Sequence, residues 1–342
     1  MNRRKFVKNT AGLTAGLLIT RDLFAEDKGP VYGHNGMRYT LDTSWGQLDS
    51  AKYPVKDCHE MVQDKKGRII LLTNETKNNV LIYNKSGKLL ESWGNEFPGG
   101  HGLTLADENG TQFLYITDTE KHQVYKTTMS GKILMTIDVP MEAGIYKNAK
   151  EFVPTEVAVD TNGDFFVADG YGAQYILHYD ASGKLKGHFG GRGTGDEYLD
   201  NAHGIVIDRR YAQPSLLVTD RTRNCFKRFS MDGKLQEIIN LPGACVCRPV
   251  IKNDNLYAAV LRSPSLANAG SGFVTILNKE NKVVSNIGGT EPIYNKDAQL
   301  QIMTQAEKIF VHPHDVCVDD DENLYVAQWA SGKVYPYKFK RV

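Results

Sequence analysis

A repeat governs how this chain can fold. The turn tripeptide Ser86-Gly87-Lys88 returns as Ser130-Gly131-Lys132, Ser182-Gly183-Lys184 and Asp232-Gly233-Lys234, with a degenerate copy at Glu280-Asn281-Lys282. Successive glycines lie 44, 52 and 50 residues apart. Each copy is flanked by short β-rich runs, such as LIYN and KLLESWG around the first and FKRFS and KLQEII around the fourth. Apolar and β-branched runs broken by Gly, Asn and Asp read as strands joined by tight hairpins. A second element opens every unit: CHEMVQD (58–64), GHGLTLAD (100–107), PTEVAVD (154–160), AHGIVID (202–208), CRPVIKND (247–254) and PHDVCVD (313–319). After each comes a strand such as IILLT, FFVAD or LYVAQ. Six such openings, each heading a unit of about 50 residues with four short strands, are the pattern of an all-β, six-bladed β-propeller. The sixth unit runs out one strand short, after VYPYKF, and YTLDTSWGQ at 39–47 echoes LLESWGN at 89–95. An N-terminal strand is therefore expected to complete the last blade and remove the exposed sheet edges at the seam.

Charge is unevenly distributed along the chain. The 342 residues include 41 basic and 40 acidic side chains, a balance that argues against a nucleic-acid surface. Residues 1–25 nevertheless carry Arg3, Arg4, Lys5, Lys8 and Arg21 against Asp22, a net of +4, which leaves the rest mildly acidic. A basic head, an apolar stretch from Ala11 to Ile19 and a small residue at Ala25 read as an export signal. The paired arginines followed by Lys-Phe-Val-Lys resemble a twin-arginine signal. The expected division is a signal over 1–25, a lead-in over 26–38 and one propeller over 39–342. The protein is expected in the periplasm or outside the cell, as a monomer with no stable membrane span once the signal is removed. The five cysteines, an odd count in an oxidising compartment, read as small buried residues with at most one or two disulfides. The glycine-rich run Gly190–Gly195 reads as a connection between blades, since no helix follows it. The insertion Ser263–Gly272 reads as a flexible loop bordering the channel mouth.

In a propeller the first strand of each blade lines the central channel, so the residue opening that strand faces the axis. Down the six units this column reads His59, His101, Thr155, His203, Arg248 and His314, and with His312 beside it holds five of the nine histidines in the chain. His101, His203 and His314 belong to alternate blades and so project inward about 120° apart in a six-fold ring. Three imidazoles with an open position are the ligand set of a catalytic zinc site. Copper, nickel and iron are the other metals this donor set accepts. His59, Thr155 and Arg248, with His312, are expected to line the channel and contact substrate.

Blade openings of this kind resemble NHL-repeat propellers, and from about residue 60 onward the chain resembles the family of peptidyl-α-hydroxyglycine α-amidating lyases. The segments that carry the likeness are Gly100-His101-Gly102-Leu103, Ala202-His203-Gly204-Ile205 and Pro313-His314-Asp315-Val316, together with Asp169-Gly170-Tyr171 and Asp220-Arg221. The resemblance implies zinc on His101, His203 and His314. It implies Tyr171 as the base toward a substrate hydroxyl, with its pKa lowered by metal and arginine, and Arg221 as the partner of a substrate carboxylate. It also implies a structural calcium in the channel, with Asp315 and the Leu103 carbonyl among its ligands. Departures are visible. A second family arginine falls near Thr73 or Asn74, a methionine beside the last ligand is His312, and Gly172 stands at a family cysteine position.

The expected function is that of an exported, metal-dependent propeller lyase. It would cleave a carbinolamide to an amide and glyoxylate, or run a related lyase or hydrolase reaction at a hydroxylated carbon of a small-molecule or peptide substrate. The alternative is a non-catalytic NHL-type propeller that binds a peptide, glycan or partner protein. A lactonase-like calcium site is disfavoured, because the axis column is rich in imidazole where such a site wants Glu, Asp and Asn.

Overall fold

A computed structural model describes residues 29–332 and 335–342, and the signal expected over 1–25 lies outside the described residues. The chain forms six antiparallel sheets arranged as blades. Blade one uses Cys58–Gln63, Ile69–Thr73, Val80–Tyr83 and Leu89–Trp93 from the axis outward. Blade two uses Gly100–Glu108, Thr111–Asp118, Gln123–Thr128 and Ile133–Ile137, and blades three and four repeat the plan from Glu156–Val159 and Ile205–Asp208. The last blade closes as the sequence implies: Tyr39–Asp42 pairs with the C-terminal strand Tyr337–Arg341. A further strand, Val31–Tyr32, folds back on Tyr39–Thr40 and gives this blade a fifth member.

The repeated turn has a backbone reason. Gly87, Gly131, Gly183 and Gly233 sit at φ +90, +90, +86 and +86, a region in which a side chain is strained. In the degenerate copy Asn281 takes φ +58, which asparagine tolerates better than most residues. At Gly87 a Cβ would also collide with the Trp45 carbonyl oxygen. Trp45 there packs on Tyr83 and Tyr325, fastening the N-terminal segment across blades six and one.

Blades adhere through apolar layers. Ile70, Leu72, Val80 and Ile82 of blade one meet Leu103, Leu114 and Ile116 of blade two, all fully buried. Burying such side chains stabilises by roughly 1.5–3 kcal/mol each. The five cysteines are free and buried, so these layers and the sheet ladders close the ring without disulfides among the described residues. The run at 190–195 leads from the outer strand of blade three to blade four. The innermost part of blade five is broken: Cys245–Val246 and Val250–Lys252 both pair with Asn255–Arg262, and Arg248-Pro249 lies between them. No helix among the described residues is long and apolar enough to cross a membrane.

Candidate active site at the propeller axis

Four histidines meet at one end of the axis. Ring centroids of His101, His203 and His314 are 4.8–4.9 Å apart in every pairing. His59 lies 4.9 Å from both His101 and His314, so two triangles share the His101–His314 edge. Local backbone explains the aim. The inner-strand ladder shifts register at His59, at His101-Gly102 and at His314, the kind of bulge that redirects a side chain. His203 instead precedes its strand, after Asn201 at φ +67. Gly102 and Gly204 let neighbouring blades approach, since a Cβ would collide with the Thr155 carbonyl oxygen and the Arg248 Cα respectively.

The imidazoles are buried and neutral. Desolvation pushes the pKa of His59 down to about 3, with Lys56 adding to the effect. His101, His203 and His314 lie well below the usual value for the same first cause, reinforced by one another and by Arg221. His101 Nδ1 donates to Thr155 O at 2.9 Å and His314 Nδ1 to His59 O at 3.1 Å. A carbonyl only accepts, so both Nδ1 atoms carry the proton and Nε2 is the lone-pair atom of each ring. This backbone-oriented tautomer is the usual arrangement of a metal-binding histidine. The donor set fits a transition metal. The ligating atoms of His59, His101 and His314 lie within 4.8 Å of one another. Sequence reasoning placed His203 in the triad and His59 beside it; the structure brings all four together.

Tyr171 reaches the same place from blade three. Its hydroxyl is 3.0 Å from His203 Nε2, 3.2 Å from His101 Nε2 and 3.5 Å from Arg221 Nη1. Desolvation of the hydroxyl raises its pKa, and the Arg221 charge opposes that rise, the direction the resemblance implies for the arginine. Arg221 lies behind Tyr171, held by the neighbouring blade. It is 2% exposed, with Nε donating to Val246 O at 3.1 Å and Nη2 to Cys247 Sγ at 3.1 Å. Its Nη1 is left facing the Tyr171 hydroxyl at 3.5 Å. Cys247, whose thiol burial pushes up to about 11, stays protonated beside it.

Asp169 holds the turn that presents Tyr171. Its carboxylate accepts from Val153 N and Ala173 N, each at 2.6 Å, and from the Tyr146 hydroxyl at 2.9 Å. Burial raises its pKa to about 7 from 3.8, against the pull of those donors. Because the folded value is the higher one, the folded chain binds this proton more tightly. The group's contribution to stability is complete below pH 3.8 and is lost as pH rises through about 7. The stability of the wild-type chain relative to Asp169→Asn should therefore grow by up to about 4 kcal/mol between neutral and acid pH. Urea unfolding of both proteins across that range checks it, and a difference that shrinks on acidification contradicts it.

The cavity over the histidines is about 290 Å³, lined by His59, Asn74, Glu120, Tyr171, Leu261 and Trp329 among others. A larger hollow of about 510 Å³ at the opposite end is lined mainly by aliphatic inner-strand residues, with Arg248 among them. Three of the residues expected to contact substrate sit away from that face. Thr155 offers its carbonyl to His101 and turns its hydroxyl to Ala202 O. His312 packs on Trp329 and accepts from Gly270 N at 3.2 Å, tying down the 263–272 loop. Arg248 runs down the channel and grips Asp315. Sequence reasoning missed Trp329 and Glu120, and met Asn74 only as a place near which a family arginine falls. All three follow the second strand of their blade, as Tyr171 and Arg221 do, and that shared position is the signal that would have found them.

No family model matches the chain. The curated peptidyl-alpha-hydroxyglycine alpha-amidating lyase 1 of Drosophila melanogaster is 27% identical over 268 residues, which is 74% of this chain and 47% of that protein. This chain resembles the amidating lyases. Lyase 2 of the same organism is 41% identical over 104 residues, 30% of this chain and 24% of that protein. The chain thus spans less than half the length of these amidating-lyase relatives. A solved streptogramin B lyase structure superposes with a TM-score of 0.58 at 14% identity, covering 88% of this chain and 97% of that one, a likeness of fold alone. Fold and relatives together describe an NHL-like propeller that resembles the amidating lyases.

Proposed function

We propose that the chain is an exported, metal-dependent propeller lyase acting at a hydroxylated carbon. The observation that carries this reading is the Tyr171 hydroxyl lying within 3.2 Å of two neutral, buried imidazoles of a four-histidine ring and backed by Arg221. His101, His203 and His314 would hold the metal, zinc by donor type, with His59 against the same edge. Such an ion, when bound, supplies a Lewis acid for a substrate oxygen. Tyr171, as its phenolate, is placed to take the proton of a substrate hydroxyl and so become the neutral phenol, and the Arg221 charge favours the phenolate before that transfer. Trp329, Leu261 and the histidine faces form an apolar wall that limits water at the reacting carbon.

The lining also bears on substrate. The second carboxylate-binding arginine of the family falls near Thr73 or Asn74, neither of them charged, and the Asn74 amide donates to Asp57 at 3.1 Å. Arg221 is buried against Val246 and Cys247 behind Tyr171, and Glu120 is the charged residue of the lining. These features favour a carbinolamide or related compound without a free carboxylate over a C-terminal hydroxyglycine acid. The test pairs an N-acyl-α-hydroxyglycine with its neutral amide, assayed on protein from the periplasmic fraction. The amide should be cleaved with the higher kcat/KM, by about tenfold or more. Activity should leave that fraction when Arg3 and Arg4 become lysine. A tenfold preference for the free acid overturns the substrate assignment, and no turnover of either overturns the lyase reading.

A further inference from the structure

The calcium that the resemblance implies does not fit this channel, because a side chain of the protein already occupies its ligands. Arg248 Nε donates to Asp315 Oδ1 at 2.8 Å, and Nη2 donates to Oδ2 at 3.0 Å. Nη1 donates to Leu103 O at 2.9 Å, and Nη2 also donates to Met61 O at 2.8 Å. Glu60 Oε2 lies 3.2 Å from Nη1 and Glu156 Oε2 lies 3.7 Å away. Arg248 is 8% exposed, Asp315 and Glu60 are fully buried and Glu156 nearly so.

These partners come from blades one, two, three and six, while Arg248 itself comes from blade five. Carbonyl and carboxylate oxygens converging from separate strands are the donor set of a hard cation. Here a planar guanidinium meets them, bidentate to Asp315, with its remaining hydrogens spread over the carbonyls. The broken inner strand of blade five belongs to the same arrangement. Arg248-Pro249 leaves the ladder, and Gly204 in blade four lacks the Cβ that would strike the Arg248 backbone. A divalent ion at these oxygens would sit within a few ångströms of a permanent positive charge in a low-dielectric interior, where like charges repel strongly.

We propose that Arg248 is a covalently built-in replacement for a channel calcium, fastening the blades at the axis so that the propeller takes no calcium there. The proposal is independent of the lyase reading, because it concerns the opposite side of the histidine ring and is read by stability. The experiment follows thermal melting of the full mature chain, with and without millimolar calcium chloride, for wild type, Arg248→Lys and Arg248→Ala, alongside calorimetric titration with calcium. The wild-type Tm should not move with calcium and no heat of binding should appear. Arg248→Lys keeps a charge but loses the fork, so it should melt lower and still ignore calcium. Arg248→Ala should melt lower by roughly 10 °C in calcium-free buffer. It should then gain a calcium site and recover part of the loss, because the vacated carbonyls and Asp315 become free ligands. A wild-type Tm raised by calcium overturns the proposal, and so does an Arg248→Ala protein that folds but does not respond to the ion. Should Arg248→Ala fail to fold, the wild-type and Arg248→Lys titrations decide alone.

Discussion

His101→Ala and His314→Ala are each expected to purify without metal and without lyase activity. Both residues belong to both imidazole triangles, and both have Nδ1 fixed by a backbone carbonyl so that Nε2 faces inward. Removing either leaves no set of three, and a two-imidazole site loses metal affinity by far more than the roughly 10–100-fold that follows loss of an orienting partner. Activity should fall by about 10³-fold or more, the scale of losing the main electrostatic contribution to a transition state. His203→Ala and His59→Ala separate the two triangles. Tyr171 lies against His101 and His203, so the reactive hydroxyl is set beside the triangle containing His203. His203→Ala should therefore release metal while His59→Ala retains it. The reverse pattern, measured by metal analysis of the purified variants, would move the site to His59, His101 and His314, whose ligating atoms lie within 4.8 Å of one another.

The second large effect concerns Tyr171 itself. Tyr171→Phe should lower kcat by roughly 10²–10⁴-fold, about 3–5 kcal/mol of barrier, with KM and bound metal little changed. The side chain is 40% exposed at the cavity, so replacing the phenol costs little packing. The lost hydroxyl leaves His101, His203 and Arg221 in place. Arg221→Lys should reproduce part of the loss through Tyr171, because lysine supplies charge without the fork that also holds Val246 O and Cys247 Sγ. A Tyr171→Phe enzyme with unchanged kcat would remove the tyrosine from the chemistry. One that has lost its metal would make it a structural support of the ring.

Much of this architecture is legible in the sequence because turns and inner strands are forced to repeat. The left-handed residue of the hairpin leaves a glycine at 87, 131, 183 and 233 and an asparagine at 281. The inner-strand opening leaves the histidine column. What the column does not reveal is the direction each side chain takes. His59, His101 and His314 are turned together by register shifts in their strands, which no residue pattern announces. Arg248 reads as one more channel residue until its contacts with Met61, Leu103 and Asp315 are seen, because they join parts of the chain up to 187 residues apart. The burial of Arg221 is equally hidden, since its contacts with Val246 and Cys247 depend on the neighbouring blade. The mouth residues Asn74, Glu120 and Trp329 share a position with Tyr171 and Arg221, but their types differ too much for the position to stand out.

The metal content of the mature protein, purified without chelator and without added metal, decides whether the histidine ring is a metal centre. About one transition-metal ion per chain, released together with activity by His314→Ala, is the expected result. A properly folded protein that arrives metal-free and takes up none from zinc-containing buffer would contradict a metal-binding role for the four-histidine ring and leave the propeller as a binding module.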